Sequence, residues 1–66
     1  MMNQSDIDAA RLAILTARQI AYEAYFNAIV ANDKPAKQAA KQTVSDLADR
    51  EDALNNIQAV FTQLHP

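Results

Sequence analysis

The sequence predicts an all-α fold, an antiparallel helical hairpin of two long helices. The 66 residues contain no glycine, and half of them are hydrophobic with alanine prominent, which favours helix along nearly the whole chain. The only interior turn signal is Asn32-Asp33-Lys34-Pro35, and apolar residues recur at spacings of three and four on both sides of it. Because two long helices joined by a short turn must lie antiparallel, we expect one helical-hairpin domain over residues 1–66.

The first helix is expected at about residues 6–31. Ser5 precedes Asp8 by three residues, a variant of the capping box in which the hydroxyl accepts a free backbone N–H. Asp6 and Asp8 also suit the positive end of a helix dipole. We therefore predict that the helix begins near Asp6.

The turn is expected at residues 32–35 and the second helix at about 36–64. Asn32 tolerates the left-handed conformation common at helix ends. Pro35 disfavours helical geometry at Lys34 and is accepted in the first turn of the next helix. Thr43 and Ser45 weaken helix locally, which leaves open a break within residues 42–45.

A heptad register can be drawn between the two helices. We name the six first-helix positions of this register the aromatic seam: Leu12, Leu15, Gln19, Tyr22, Phe26 and Ile29. The facing positions of the second helix are Ala40, Thr43, Leu47, Leu54, Ile57, Phe61 and Leu64. Folding the chain about its turn places the two interruptions, Gln19 and Arg50, at one height, which predicts a polar core layer made by these two side chains.

The first helix has more apolar surface than this register uses. On a helical wheel with about 100° per residue, the first helix has a second apolar or small-residue surface at a wide angle from the aromatic seam. One neighbouring helix cannot cover both surfaces. A chain this short gains little stability from its own core, so a homodimer packed as a four-helix bundle would bury that surface. This predicted partner or dimer interface, the alanine face, comprises Ile7, Ala10, Arg11, Ile14, Ala17, Arg18, Ala21, Ala24, Tyr25 and Ala28.

Composition argues against several classes of function. With no cysteine and a single histidine, neither a disulfide framework nor the usual zinc ligand sets are expected, and no cofactor is predicted. The acidic residues at 46–52 are expected on a solvated helix face, which provides no cleft for acid–base catalysis, so neither an enzyme nor a small-molecule substrate is predicted. A net charge of −2 disfavours nucleic acid, and no stretch is apolar enough to span a bilayer or to read as a secretory signal.

The function expected is therefore non-enzymatic: a cytoplasmic adaptor, inhibitor, small chaperone or regulator that binds itself and another protein through helix packing. The alternative is a structured-RNA binder that uses Arg11, Arg18 and the turn lysines. In length and architecture the predicted hairpin is similar to small plasmid copy-number hairpins that bind paired RNA loops, and to helical hairpins that act as secretion chaperones or phage regulators. A likeness of architecture carries no function with it.

Overall fold

A computed structural model describes residues 2–65 as two helices that pack against each other as a hairpin. Helix α1 spans Gln4–Val30 and helix α2 spans Lys34–Leu64. The hairpin is a rod of 50 × 16 × 16 Å. The predicted all-helical hairpin is confirmed, while Met1 and Pro66, the two ends of the predicted domain, lie outside the described residues.

Helix α1 begins earlier than the sequence predicted, at a different cap. The Asn3 side chain accepts a hydrogen bond from the Asp6 backbone N–H, and the Asp6 carboxylate accepts one from the Asn3 N–H, both at 3.0 Å. This capping box has the same spacing as the one predicted at Ser5 and Asp8, but it lies two residues nearer the amino terminus. Capping at Asn3 also gains a backbone bond from Ile7 N–H to Asn3 C=O, at 3.2 Å.

The turn is tighter than predicted. Asn32 adopts a φ of 54°, the left-handed conformation expected of it. Asp33 N–H then bonds back to the Ala28 carbonyl at 2.9 Å, and the Asp33 carboxylate accepts the Ala36 N–H at 3.1 Å. With Asp33 as its cap, α2 begins at Lys34, so the expectation that Pro35 would exclude Lys34 from the helix is wrong.

Helix α2 is continuous through residues 42–45, where a break had been left open. The Thr43 hydroxyl donates to the Ala39 carbonyl one turn back, at 3.1 Å. This local bond satisfies the hydroxyl inside a regular helix, so threonine at this position does not interrupt α2.

On α2 the core uses three positions of the predicted register, Ala40, Leu47 and Leu54, whereas on α1 it lies along a different face. Small residues line the core near the turn, and larger ones follow towards the open end, where α1 begins and α2 ends. The buried side chains are Ile7, Ala21 and Ala28 on α1 and Ala40, Leu47 and Leu54 on α2. All six positions of the aromatic seam are exposed. The prediction that α2 covers the aromatic seam is therefore wrong, because α2 covers the alanine face instead.

The physical reason for this difference is the width of the apolar arc on α1. Spacings of three and four fit the aromatic seam and the alanine face equally well, so periodicity alone cannot choose between them. Alanines at the contact let two helix backbones approach closely, whereas tyrosine and phenylalanine would hold them apart. The hairpin takes the closer packing and leaves the larger side chains outside.

Candidate interaction surface

Two arginines of the alanine face bridge the helices. Arg18 Nη1 donates to Glu51 Oε2 at 2.7 Å, and Arg11 Nη1 donates to Asn55 Oδ1 at 2.8 Å. The Arg18 and Glu51 side chains are about one third exposed, at 33% and 29%. The predicted interface residues Arg11 and Arg18 are thus occupied within the hairpin, with their stems along its contact line.

The predicted polar layer of Gln19 and Arg50 does not form. Gln19 Nε2 donates to Glu23 Oε1 on its own helix at 3.3 Å, and both Gln19 and Arg50 are exposed. The ion pair of Arg18 and Glu51 takes the place of that layer, one residue earlier on α1 and one residue later on α2. The predicted pairing of Gln19 with Arg50 is therefore wrong, because both side chains lie on outer faces of the hairpin.

The other members of the alanine face also lie at or beside α2. Ile7, Ala21 and Ala28 are buried, and Ala24 is exposed; the half-buried members are Ala10, Arg11, Ile14, Ala17, Arg18 and Tyr25. The premise that α2 cannot reach this face is wrong, because nine of its ten residues are buried or half-buried in the hairpin. The contact of the alanine face with a second chain stays a prediction. The surface most open to a partner is the aromatic seam.

The aromatic seam is the longest exposed apolar row on α1. Its exposed fractions run from 40% at Leu15 to 66% at Leu12, with Phe26 at 65% and Tyr22 and Ile29 at 49%. The residues are spaced three and four apart, so they form one stripe along about two thirds of α1, from Leu12 to Ile29. A stripe of this kind on a soluble helix is typical of a surface that packs against another helix.

Aromatic and basic groups meet on the same flank of the hairpin. Tyr22 and Tyr25 line a shallow cavity of about 150 Å³ with Lys41 and Val44 of α2. Lys37 Nζ lies 5.9 Å from the centre of the Tyr25 ring, within the range of a cation–π contact. The turn end of the aromatic seam is therefore bordered by lysines from α2.

An alanine-lined groove of about 510 Å³ lies on the other flank. Its walls come from both helices near the turn: Ala17, Ile20, Ala21, Ala24, Ala36, Ala39, Ala40 and Thr43. Ile20, 62% exposed, is its one large side chain. Three predicted interface residues, Ala17, Ala21 and Ala24, thus line this groove.

A third apolar area lies at the open end of the hairpin. Met2 lines a cavity of about 370 Å³ together with Ile57, Val60 and Phe61 of α2. Ile57 and Leu64 were expected to face α1, but both are exposed. Sequence reasoning missed Val60, which lies outside the predicted heptad positions and is more than half exposed.

Within residues 2–65, no three histidine, aspartate or glutamate side chains are grouped closely enough to hold a metal ion. Neither described helix combines the length and apolar character that crossing a membrane requires. No protein family, curated protein or solved structure matches this chain. The observations that bear on function are therefore the exposures and contacts of the hairpin itself.

Proposed function

We propose that the chain is a non-enzymatic, cytoplasmic interaction protein, an adaptor, inhibitor or small chaperone, that binds a partner helix through the aromatic seam. One observation carries the proposal: five large apolar side chains, 40–66% exposed, follow one another at helical spacing along α1. Ridges of this kind fit the groove of another helix or of a helix pair. The exposed side chains of the aromatic seam are apolar, so packing against another apolar surface is the interaction they offer.

The accessible surface area of the hairpin is larger than that of a compact monomer, which supports the binding of a partner helix. Its accessible area is 5011 Å², whereas a compact monomer of 7.3 kDa exposes about 4,200 Å². The radius of gyration, 15.2 Å, likewise exceeds the roughly 11 Å of a compact domain of this length. Packing of another helix on α1 would reduce this excess.

The RNA alternative draws less support from the side-chain contacts. Of the cations it would use, Arg11 is bonded to Asn55 and Arg18 to Glu51. Binding a phosphate with either arginine would require breaking a contact between the two helices. The turn lysines alone are too few for a strong phosphate-binding surface.

A site-specific photocross-linker tests the proposed function in cells of the native host. We expect p-benzoylphenylalanine at position 26 to give covalent protein adducts, with either a host protein or a second copy of the chain. The matched control carries the same group at Asp49, which is exposed on α2 away from the aromatic seam. No adduct from position 26, or the same adducts from both positions, would contradict the proposal.

A further inference from the structure

We infer that the occupant of the aromatic seam is a second copy of this chain, packed antiparallel along α1, with a two-fold axis between Gln19 and Tyr22. This inference rests on the proposed function and names the partner of the same surface. Two hairpins joined in this way form a four-helix bundle in which the two α1 helices are neighbours.

The spacing of the aromatic seam is the first support. Its positions are separated by three, four, three, four and three residues, an order that is the same in both directions. A two-fold axis requires a surface that complements itself, and a reversible spacing meets that requirement from Leu12 to Ile29. The antiparallel layers would pair Leu12 with Ile29, Leu15 with Phe26, and Gln19 with Tyr22 of the second copy.

The one polar position of the aromatic seam has a partner in this arrangement. Gln19 carries an amide that can donate and accept, and the Tyr22 hydroxyl opposite it can do both as well. The two layers nearest the axis would thus combine aromatic packing with a hydrogen bond. A single polar position of this kind fixes the register of paired helices.

Charge favours the antiparallel orientation over the parallel one. Lys34, Lys37 and Lys41 outnumber Asp33 at the turn end, whereas Asp6 and Asp8 lie in the first turns of α1 at the open end. Antiparallel packing brings the lysines of each copy towards the aspartates of the other. Parallel packing would set lysines beside lysines, and juxtaposed like charges are costly at an interface.

The aromatic seam alone reaches the smallest area that a specific dimer interface needs. With about 200 Å² for a fully exposed side chain of this size, the aromatic seam offers about 500 Å² per chain at its observed exposures. Two copies would bury about 1,000 Å², which reaches the lower bound for a specific interface. Contacts from the flanking α2 helices would add to that area.

The small core of the hairpin gives the single chain little stability, which favours a second copy as the partner. Three of the six buried side chains are alanines, which contribute little apolar area. The chain contains no cysteine, so no disulfide can staple it. Self-association stabilises the folded chain by mass action wherever the chain is present above its dimer dissociation constant, without a second kind of protein.

Sedimentation velocity of purified variants tests which surface self-associates. We expect Phe26→Glu to convert a dimer into a monomer, because a carboxylate at that layer would have to be desolvated. Ile20→Glu is the matched control: Ile20 lies on the same helix and is exposed to a similar extent, but it borders the alanine-lined groove. Circular dichroism checks that both variants remain helical. A dimer that survives Phe26→Glu, or that is lost only in Ile20→Glu, would overturn the inference.

Disulfide trapping tests the orientation, because any cysteine introduced into this chain is unique. Leu12 and Ile29 are about 25 Å apart along α1 at 1.5 Å per residue, and a disulfide needs Cα atoms within about 7 Å. We expect Leu12→Cys mixed with Ile29→Cys to form a mixed disulfide dimer, and neither variant to cross-link alone. Cross-linking of each variant with itself would show a parallel dimer and overturn the antiparallel assignment.

The two proposals can fail separately. A purified chain that stays monomeric, together with a host-protein adduct from position 26, would overturn the inference that the partner is a second copy. The proposed function would then still stand. Absence of both self-association and adducts would contradict both proposals.

Discussion

Arg18 and Glu51 form an ion pair across the hairpin, with Nη1 of the guanidinium 2.7 Å from Oε2 of the carboxylate. Each of its residues is the sequence neighbour of a residue in the expected polar layer, Gln19 or Arg50. The pair therefore shows which face each helix turns towards the other. Arg11 and Asn55 repeat the relationship seven residues earlier on α1 and four residues later on α2. Together the two contacts fix the alanine face, rather than the aromatic seam, against α2.

We predict a small loss of stability on removing this ion pair. Since both side chains are about one third exposed, solvent screening limits its contribution, and Glu51→Gln should lower the free energy of unfolding by about 0.5–1 kcal/mol. Arg50→Gln, at an exposed position, should change it by less than about 0.5 kcal/mol. Urea denaturation at one protein concentration measures both. A larger loss of stability from Arg50→Gln than from Glu51→Gln would contradict this account and support the pairing of Gln19 with Arg50 instead.

A second prediction concerns close packing at the alanine face. Ala21→Leu adds volume at a buried contact of the helices and should cost about 1–3 kcal/mol of unfolding free energy. Ala13→Leu makes the same change at an exposed position of α1 and should be close to neutral. Thermal denaturation of the two variants makes the comparison. Equal tolerance of both substitutions would contradict the buried placement of Ala21.

The leucines of α2 supply a third prediction. Leu54 is buried, so Leu54→Ala should cost about 2–5 kcal/mol through lost burial and the cavity left behind. Leu64 is 72% exposed, and Leu64→Ala should cost less than about 0.5 kcal/mol. Chemical denaturation followed by circular dichroism distinguishes them. A large loss at Leu64 would place that residue in the core that the sequence register proposed.

The turn supplies a fourth prediction. Asn32 has a φ of 54°, where a β-branched side chain is strongly disfavoured. Asn32→Val should therefore lower the free energy of unfolding by about 1–2 kcal/mol, whereas Asn32→Gly should be tolerated. The midpoint of thermal unfolding measures the difference. If valine proved as stable as glycine, the left-handed turn would be contradicted.

The sequence was sufficient for the architecture because its signals were local. Asn32 and Pro35 mark one turn, and nothing else in the chain interrupts helix, so two long antiparallel helices follow from the backbone alone.

The choice of face could not be predicted because it depends on competition between two packings. Periodicity gives α1 two apolar stripes, and side-chain size usually assigns the larger one to the core. Here close approach at Ala21 and Ala28 leaves Phe26 and Tyr22 outside. The bond from Arg18 to Glu51 belongs to the same packing, and its partner lies 33 residues away. No local sequence signal reports an interaction of that range.

Isotope-filtered NMR on mixed labelled and unlabelled chains tests the central claim most directly, because it detects only contacts between copies. We predict nuclear Overhauser effects from the Phe26 ring to the Leu15 methyl groups of the second copy, and from Leu12 to Ile29. Contacts between chains that arise instead from Ile20 and Ala24 would contradict the claim that the aromatic seam is the interaction surface. A spectrum without any contact between chains at millimolar concentration would contradict the self-associated bundle.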